Sequence, residues 1–168
     1  MSTPPYLVCL LVLLLSRGLD ILSTWITSPT LLLEANIIAR KLGWSGILLL
    51  NAVIALWLAN YTVPTIALTT VSCLVAMRNR QSAWLVHSLG EQQYNQLYIQ
   101  QIQVISTFRY LSYLLFQIAI PAICGAAVIG LFADNWLLQG IGTGLICYAI
   151  AVGIHSLKDF IQSRTRKQ

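Results

Sequence analysis

Arg17 and Asp20 stand in a segment that is otherwise aliphatic, preceded by the run Leu-Val-Cys-Leu-Leu-Val-Leu-Leu-Leu at 7–15. Three apart on a helix, a guanidinium and a carboxylate can reach each other and pair. Ionisable groups in an apolar span are costly where they meet lipid, and they mark substrate, ion or proton sites when they face inward. Stepped at 100° per residue, Arg17, Asp20, Thr24, Thr27 and Ser28 fall within an arc of about 100°, the width of one helix face. This stripe is expected to face the interior of a helical bundle. Two further stripes offer partners: one headed by Asn51 and continuing through Ala55, Thr62, Thr65, Thr69 and Ala76, the other made of Arg109, Tyr113, Gln117 and Cys124. The expected polar cluster is Arg17, Asp20, Thr24, Asn51 and Gln117, converging in the outer half of the bundle. Two readings compete for it: a buried pair that fixes helix packing, and a site for a solute, ion or proton.

Other residues capable of chemistry are few. Glu34, Asn36 and Arg40 form an interfacial group, and His155 with Asp159, one turn apart, form a second candidate site at the inner edge. Asp20, Glu34 and His155 include enough ligand types for a hydrolytic metal, but His155 is expected at the opposite membrane edge, so no metal site is assigned. The chain has no HExxH, GxSxG or Walker loop. The four cysteines lie far apart in apolar segments with no ligand spacing, which makes them small apolar side chains. No catalytic residue and no cofactor is assigned.

The elements that must position these residues are membrane helices. Of 168 residues 57% are apolar and 9% charged, with mean hydropathy +0.74, against about 25% charged in soluble domains. A soluble fold of this length could not hide that much apolar surface. The expectation is one all-α integral membrane domain of four transmembrane helices, at about 5–27, 45–77, 106–132 and 136–157. A short interfacial helix at 29–42 follows Ser28 as N-cap and Pro29. The run 45–77 is read as one helix bent at Pro64, because its stripe continues through the proline and its halves look too short to span. Five spans result if it splits at Asn60–Pro64. Ser88-Leu-Gly-Glu91 reads as a capping box, opening a cytoplasmic helix, 88–105, that continues into the third span. Asp134 reads as the N-cap of the fourth.

Net charge is +5, with the basic residues at segment ends and in a tail, 158–168. That pattern reports orientation and contact with anionic lipid headgroups rather than nucleic acid. The N-terminus lacks the basic region of a signal peptide, so the first apolar segment is read as retained. With four spans both termini are cytoplasmic; with five, all nine basic residues other than Arg17 fall on one side. Besides the bilayer, a protein partner is expected at helix 88–105 or at the small-residue face of Gly140 and Gly144.

The stretch RGLDILSTWITSPTLLLEANIIARKLGW (17–44) resembles an uncharacterised family of small prokaryotic membrane proteins, a domain of unknown function. Asp20 and Thr24 match the family's Asp-x-x-x-Thr at the end of the first span, and Glu34, Asn36 and Arg40 its Glu-x-Asn-Pro with a following Arg. Arg17 stands where Asn is usual, Ile37 replaces the proline, and the usual glycine shortly before the Glu is missing. The resemblance implies that Asp20 and the 34–36 segment form one unit, in a prokaryotic inner membrane. It carries no activity. The functional readings rank as follows: a non-enzymatic accessory or assembly subunit, then a small transporter or ion-handling protein built on Arg17 and Asp20, then an intramembrane hydrolase using Asp20 and Glu34.

Overall fold

A computed structural model of the chain describes residues 4–34 and 37–165. The described residues form six helices and no strand: α1 (Tyr6–Thr27), α2 (Ile37–Leu58), α3 (Thr62–Leu89), α4 (Glu91–Val104), α5 (Thr107–Leu131) and α6 (Trp136–Thr165). Four of them are long and apolar enough to cross a membrane: α1, α2 from Ala39, α5 and α6.

The all-α bundle with four such helices is the expected architecture, but a different segment supplies the second. The run 45–77 is two helices. Asn60 closes α2 by donating its side-chain amide to the Trp57 carbonyl (3.0 Å), and Thr65 Oγ1 donates to the Leu58 carbonyl (2.9 Å). Carbonyls left open at a helix end are thus satisfied, and Pro64 falls in the first turn of α3, where its missing N–H costs nothing. The halves looked short because both helices extend past the apolar run, α2 back to Ile37 and α3 on to Leu89.

Contacts give the direction of each helix. Tyr6 donates to the Leu56 carbonyl and Trp44 Nε1 to the Pro29 carbonyl, so α2 runs back along α1. Ser16 meets Thr69 and Thr27 meets the Asn79 carbonyl, so α3 runs parallel to α1. The α6 glycines pack on α3 in ascending order, Gly140 on Val63 and Ile66, Gly144 on Ala67 and Thr70. Hence α6 is parallel to α3, and α5 returns antiparallel to α6, with Gly142 against Ile129 and Tyr110 bonded to the Ser156 carbonyl. The order of packing is α2 and α3 on α1, then α6 on α3, then α5 on α6.

Because α3 makes a traverse of its own, the described chain begins and ends at opposite ends of the bundle. The placement of both termini on one side therefore goes with the single 45–77 helix. The end holding Pro5 and the turns 59–61 and 132–135 carries Asp134 alone among the described charged residues. Arg40, Lys41, Arg78, Arg80, Arg109, Lys158 and Arg164 lie at the other, the basic end.

Four local expectations change. The short helix expected at 29–42 is cut back: residues 29–33 are turns, and the helical residues from Ile37 are set off from the remainder of α2 by Gly43 at φ 65°, ψ −175°. The helix from 88 into the third span is broken at Ile105 and Ser106, both extended, and the Ser106 hydroxyl caps α5 by accepting from the Arg109 amide. The capping box does not form. Gly90, at φ 81°, ends α3 and starts α4, and Ser88 turns its hydroxyl back to the Leu85 carbonyl. Asn135, not Asp134, caps α6, its Oδ1 accepting from the amides of Leu137 (3.0 Å) and Leu138 (3.3 Å).

The Gly140/Gly144 face, a candidate partner surface, is covered by α3 of the same chain. A Cβ at Gly144 would lie 2.6 Å from the Ala67 carbonyl oxygen, which is backbone and cannot step aside. Gly144→Leu is expected to lower stability by about 2–3 kcal/mol through overpacking. Gly18→Leu, where a Cβ meets nothing within 4 Å, should be nearly neutral, as detergent thermal unfolding of the two variants would read.

Candidate functional site

Arg17 is bonded within α1 and to two neighbouring helices. Its Nε donates to Asn51 Oδ1 of α2 (2.5 Å), and its Nη1 donates to Asp20 Oδ2 of α1 (2.7 Å) and to Ser72 Oγ of α3 (3.0 Å). Asn51 is oriented for this by donating its own Nδ2 to the Ile47 carbonyl (2.7 Å). One turn further on, Asn79 Nδ2 of α3 donates to Ser23 Oγ (3.1 Å) and Thr24 Oγ1 (3.0 Å) of α1. The α1 stripe is interior, as expected.

The pair is not sealed. The side chains of Arg17 and Asp20 remain 21% and 13% exposed, because they line a cavity of about 730 Å³ at the basic end of the bundle. From α1 and α2 the walls include Thr24, Trp44 and Asn51; from α3, Arg78 and Asn79; from α6, His155, Lys158 and Asp159. Toward the other end the helices close on a dry apolar cluster of Cys9, Leu13, Ala55 and Ala59.

Helix α4 lies across the cavity, contributing Tyr94, Asn95, Tyr98 and Ile99 to its lining. It is pinned at both ends. At its start the Glu91 carboxylate accepts from the hydroxyls of Ser28 and of Thr30 (2.7 Å for the latter), just beyond α1. Ser28 Oγ in turn accepts from the Leu33 amide (3.0 Å). At its other end Gln103 Nε2 donates to the Ser163 carbonyl (3.1 Å), and Arg164 donates to the Ile105 carbonyl (2.5 Å). Between the pins Ile102 is buried. Burial, reinforced by the Asp159 carboxylate, pushes the Tyr98 phenol up to about 12, so it faces the cavity as a neutral hydroxyl.

Of the expected cluster, Arg17, Asp20, Thr24 and Asn51 come together. Gln117 does not: it lies exposed on α5, which packs substantially only on α6 and lines no part of the cavity. Glu34 and Arg40 line the cavity; Asn36 lies outside the described residues. His155 and Asp159 are in the same cavity, not at the opposite edge. The added traverse by α3 makes α1 and α6 parallel, which brings their C-terminal halves to one end. His155 Nδ1 is buried there with no hydrogen-bond partner among the described residues.

Sequence reasoning missed Ser72, Asn79 and Glu91. The first two continue Thr65, Thr69 and Ala76 at alternating steps of three and four, a visible signal. The third was assigned to a cap. Among the described residues no three His, Cys, Asp or Glu side chains gather as a metal site. The arrangement is a charge pair at one wall of a polar cavity in an all-α, polytopic membrane protein. No protein-family model matches the chain, and no curated protein or solved structure is significantly similar to it.

Asp20→Asn leaves the Arg17 cation without its counter-charge and should destabilise the bundle by about 2–3 kcal/mol, below the loss for a sealed pair because the cavity hydrates it in part. Replacing both residues by leucine should restore much of that stability, as unfolding in mixed micelles would measure. Glu91→Ala removes both acceptors at the start of α4. Hydrogen exchange should then accelerate over 91–98 while α1 and α3 keep their protection.

Proposed function

We propose that this membrane protein binds a small polar or zwitterionic molecule in the cavity beside Arg17 and Asp20, entering from the basic end, as a solute-handling or transport protein does. One observation carries the reading: the charge pair lines a cavity of about 730 Å³, within the usual size range of small-molecule sites, roughly 300–1,000 Å³. A packing pair would be surrounded by apolar side chains and needs no cavity. The His155 Nδ1 atom, buried with no partner among the described residues, supports the same reading, since a bound solute would supply the missing hydrogen bond. Cations and carboxylates both line the site, Arg78 and Lys158 with Asp20, Glu34 and Asp159, which suits a ligand bearing both signs of charge. The accessory role ranked first by sequence accounts for none of these features. The hydrolase reading has Asp20 and Glu34 in one cavity but no activated nucleophile beside them.

The basic end is the cytoplasmic one in this reading, since Lys and Arg concentrate on that side of inner-membrane proteins. The crossings are then five, with α3 as the third, and the N-terminus is external. Arg40, Arg78 and the basic tail lie at the level of anionic headgroups. The partial resemblance over 17–44 supports a prokaryotic inner membrane.

Two measurements test this together. Asn79→Cys should react from the cytoplasmic side with a charged thiosulfonate reagent, and Tyr61→Cys only from the outside. In nanodiscs, a panel of zwitterionic and anionic metabolites should yield a thermal shift that His155→Phe abolishes. A cavity cysteine that stays unlabelled, with no stabilising solute in the panel, would refute the reading.

A further inference from the structure

Helix α5 carries one polar side chain that the bundle leaves outside. Gln117 stands about 15 Å along α5 at 1.5 Å per residue, deep within a hydrocarbon layer about 30 Å thick. It is exposed and makes no hydrogen bond among the described residues. A primary amide offers two donors and an acceptor, and leaving them unmet in hydrocarbon is costly. Its side chain is too short to reach the headgroups from that depth. Pro121 adds to the deficit at this level, because it lacks the N–H that would bond the Gln117 carbonyl.

Gln117 belongs to an uncovered seam. Tyr113, Gln117, Ile120, Cys124, Ala127 and Leu131 follow one another at alternating steps of four and three, and all six are exposed. That spacing is the contact line of two helices crossing at a small left-handed angle. Cys124 and Ala127 are small enough for close approach, whereas Phe108, Leu115, Phe116 and Ile123 present bulky side chains suited to lipid.

We infer that a second copy of this chain covers this face, the two α5 helices side by side and the Gln117 amides bonded to each other. A second copy is the occupant because an amide, with donor and acceptor in one group, complements itself across a two-fold axis. Both copies have the same orientation in the bilayer, so the axis runs along the membrane normal and like residues meet. A single polar residue at such a seam sets register and pairing. The site stands apart from the cavity, to which α5 contributes no residue, and does not depend on what the cavity binds.

The test uses the full chain in liposomes. Energy transfer between labelled copies should report a dimer whose association weakens by about tenfold or more in Gln117→Leu, the loss of one interhelical amide pair. Leucine is at home in lipid, so this variant folds. Gln117→Asn should retain pairing, and Phe116→Leu should leave it unchanged. With Cys73 and Cys147 replaced by serine, oxidation should cross-link the wild-type seam through Cys124, one heptad from Gln117. A monomer in liposomes overturns the inference, including the case where a different chain co-purifies on α5. So does a dimer that Gln117→Leu leaves as tight, or one that oxidation fails to cross-link through Cys124.

Discussion

The Arg17 guanidinium is a charge that cannot be discharged inside the bundle, and three helices are arranged to satisfy it. Asp20 balances it from the next turn of α1, Asn51 brings α2 to it, and the fully buried Ser72 brings α3. None of these partners could be exchanged for an aliphatic residue without leaving a donor or the charge unmet, and at that depth an unmet group is expensive. The crossing point of α1, α2 and α3 is thereby set by hydrogen bonds, with dispersion packing of Leu13, Ala55 and Ala59 completing it on the apolar side.

From that crossing the rest of the topology follows. Helix α3 is more polar than α1, α2 and α6, with Thr65, Thr69, Ser72 and Asn79 along one line, and it is tolerated because these three pack on it. Its other face receives the α6 glycines at backbone distance, so the most polar long helix is shielded from lipid on two sides. Running parallel to α1, it forces α6 parallel as well. The C-terminal halves of α1, α3 and α6, where the ionisable residues sit, all reach the same end. The cavity results from this: one helix's charged stripe and another's His155 and Asp159 share a space because an intervening traverse aligned them.

How much of this was legible in the sequence depended on whether the signal was local. The α1 stripe was readable because a polar arc in an aliphatic helix has only one tolerable direction to face, inward. The turn at 59–61 was misread because periodicity survives a reversal. Thr62, Thr65 and Thr69 continue the Asn51 stripe in phase although the chain turns between them, and the helix ends that make up the missing length, back to Ile37 and on to Leu89, lie outside the apolar run and carry its flanking charges. From that one choice came the expectation that His155 lies at the opposite edge from Asp20. Gln117 failed for a different reason: its stripe on α5 resembles that of α1, but α5 lies at the edge of the bundle, two helices away from Arg17, and periodicity cannot say which face a neighbour covers. Glu91 was assigned to the nearest serine in sequence, Ser88. In the fold its partners are Ser28 and Thr30, more than sixty residues away.

The two ends of the bundle are built on opposite principles, a polar cavity at one and an apolar cluster at the other. At the end with few charges, α1, α2 and α3 meet through small and aliphatic side chains, Cys9, Leu13, Ala55, Ala59 and Leu68. At the basic end Gly43 interrupts α2, while α1 and α3 stay joined through Thr27, Ser23, Thr24 and Asn79. The polar groups that line the cavity there are met by one another and by α4, which is tied to the ends of α1 and α6 rather than packed into the core. A strap held by hydrogen bonds at two points, with one buried isoleucine between them, is cheaper to displace than a helix packed along its length. The dry cluster lacks such a seam, since opening it would expose Leu13 and Ala55 without compensation. The charge pair stands at the point where the polar cavity meets the apolar cluster, and under the proposed solute-binding role a solute would reach it past α4.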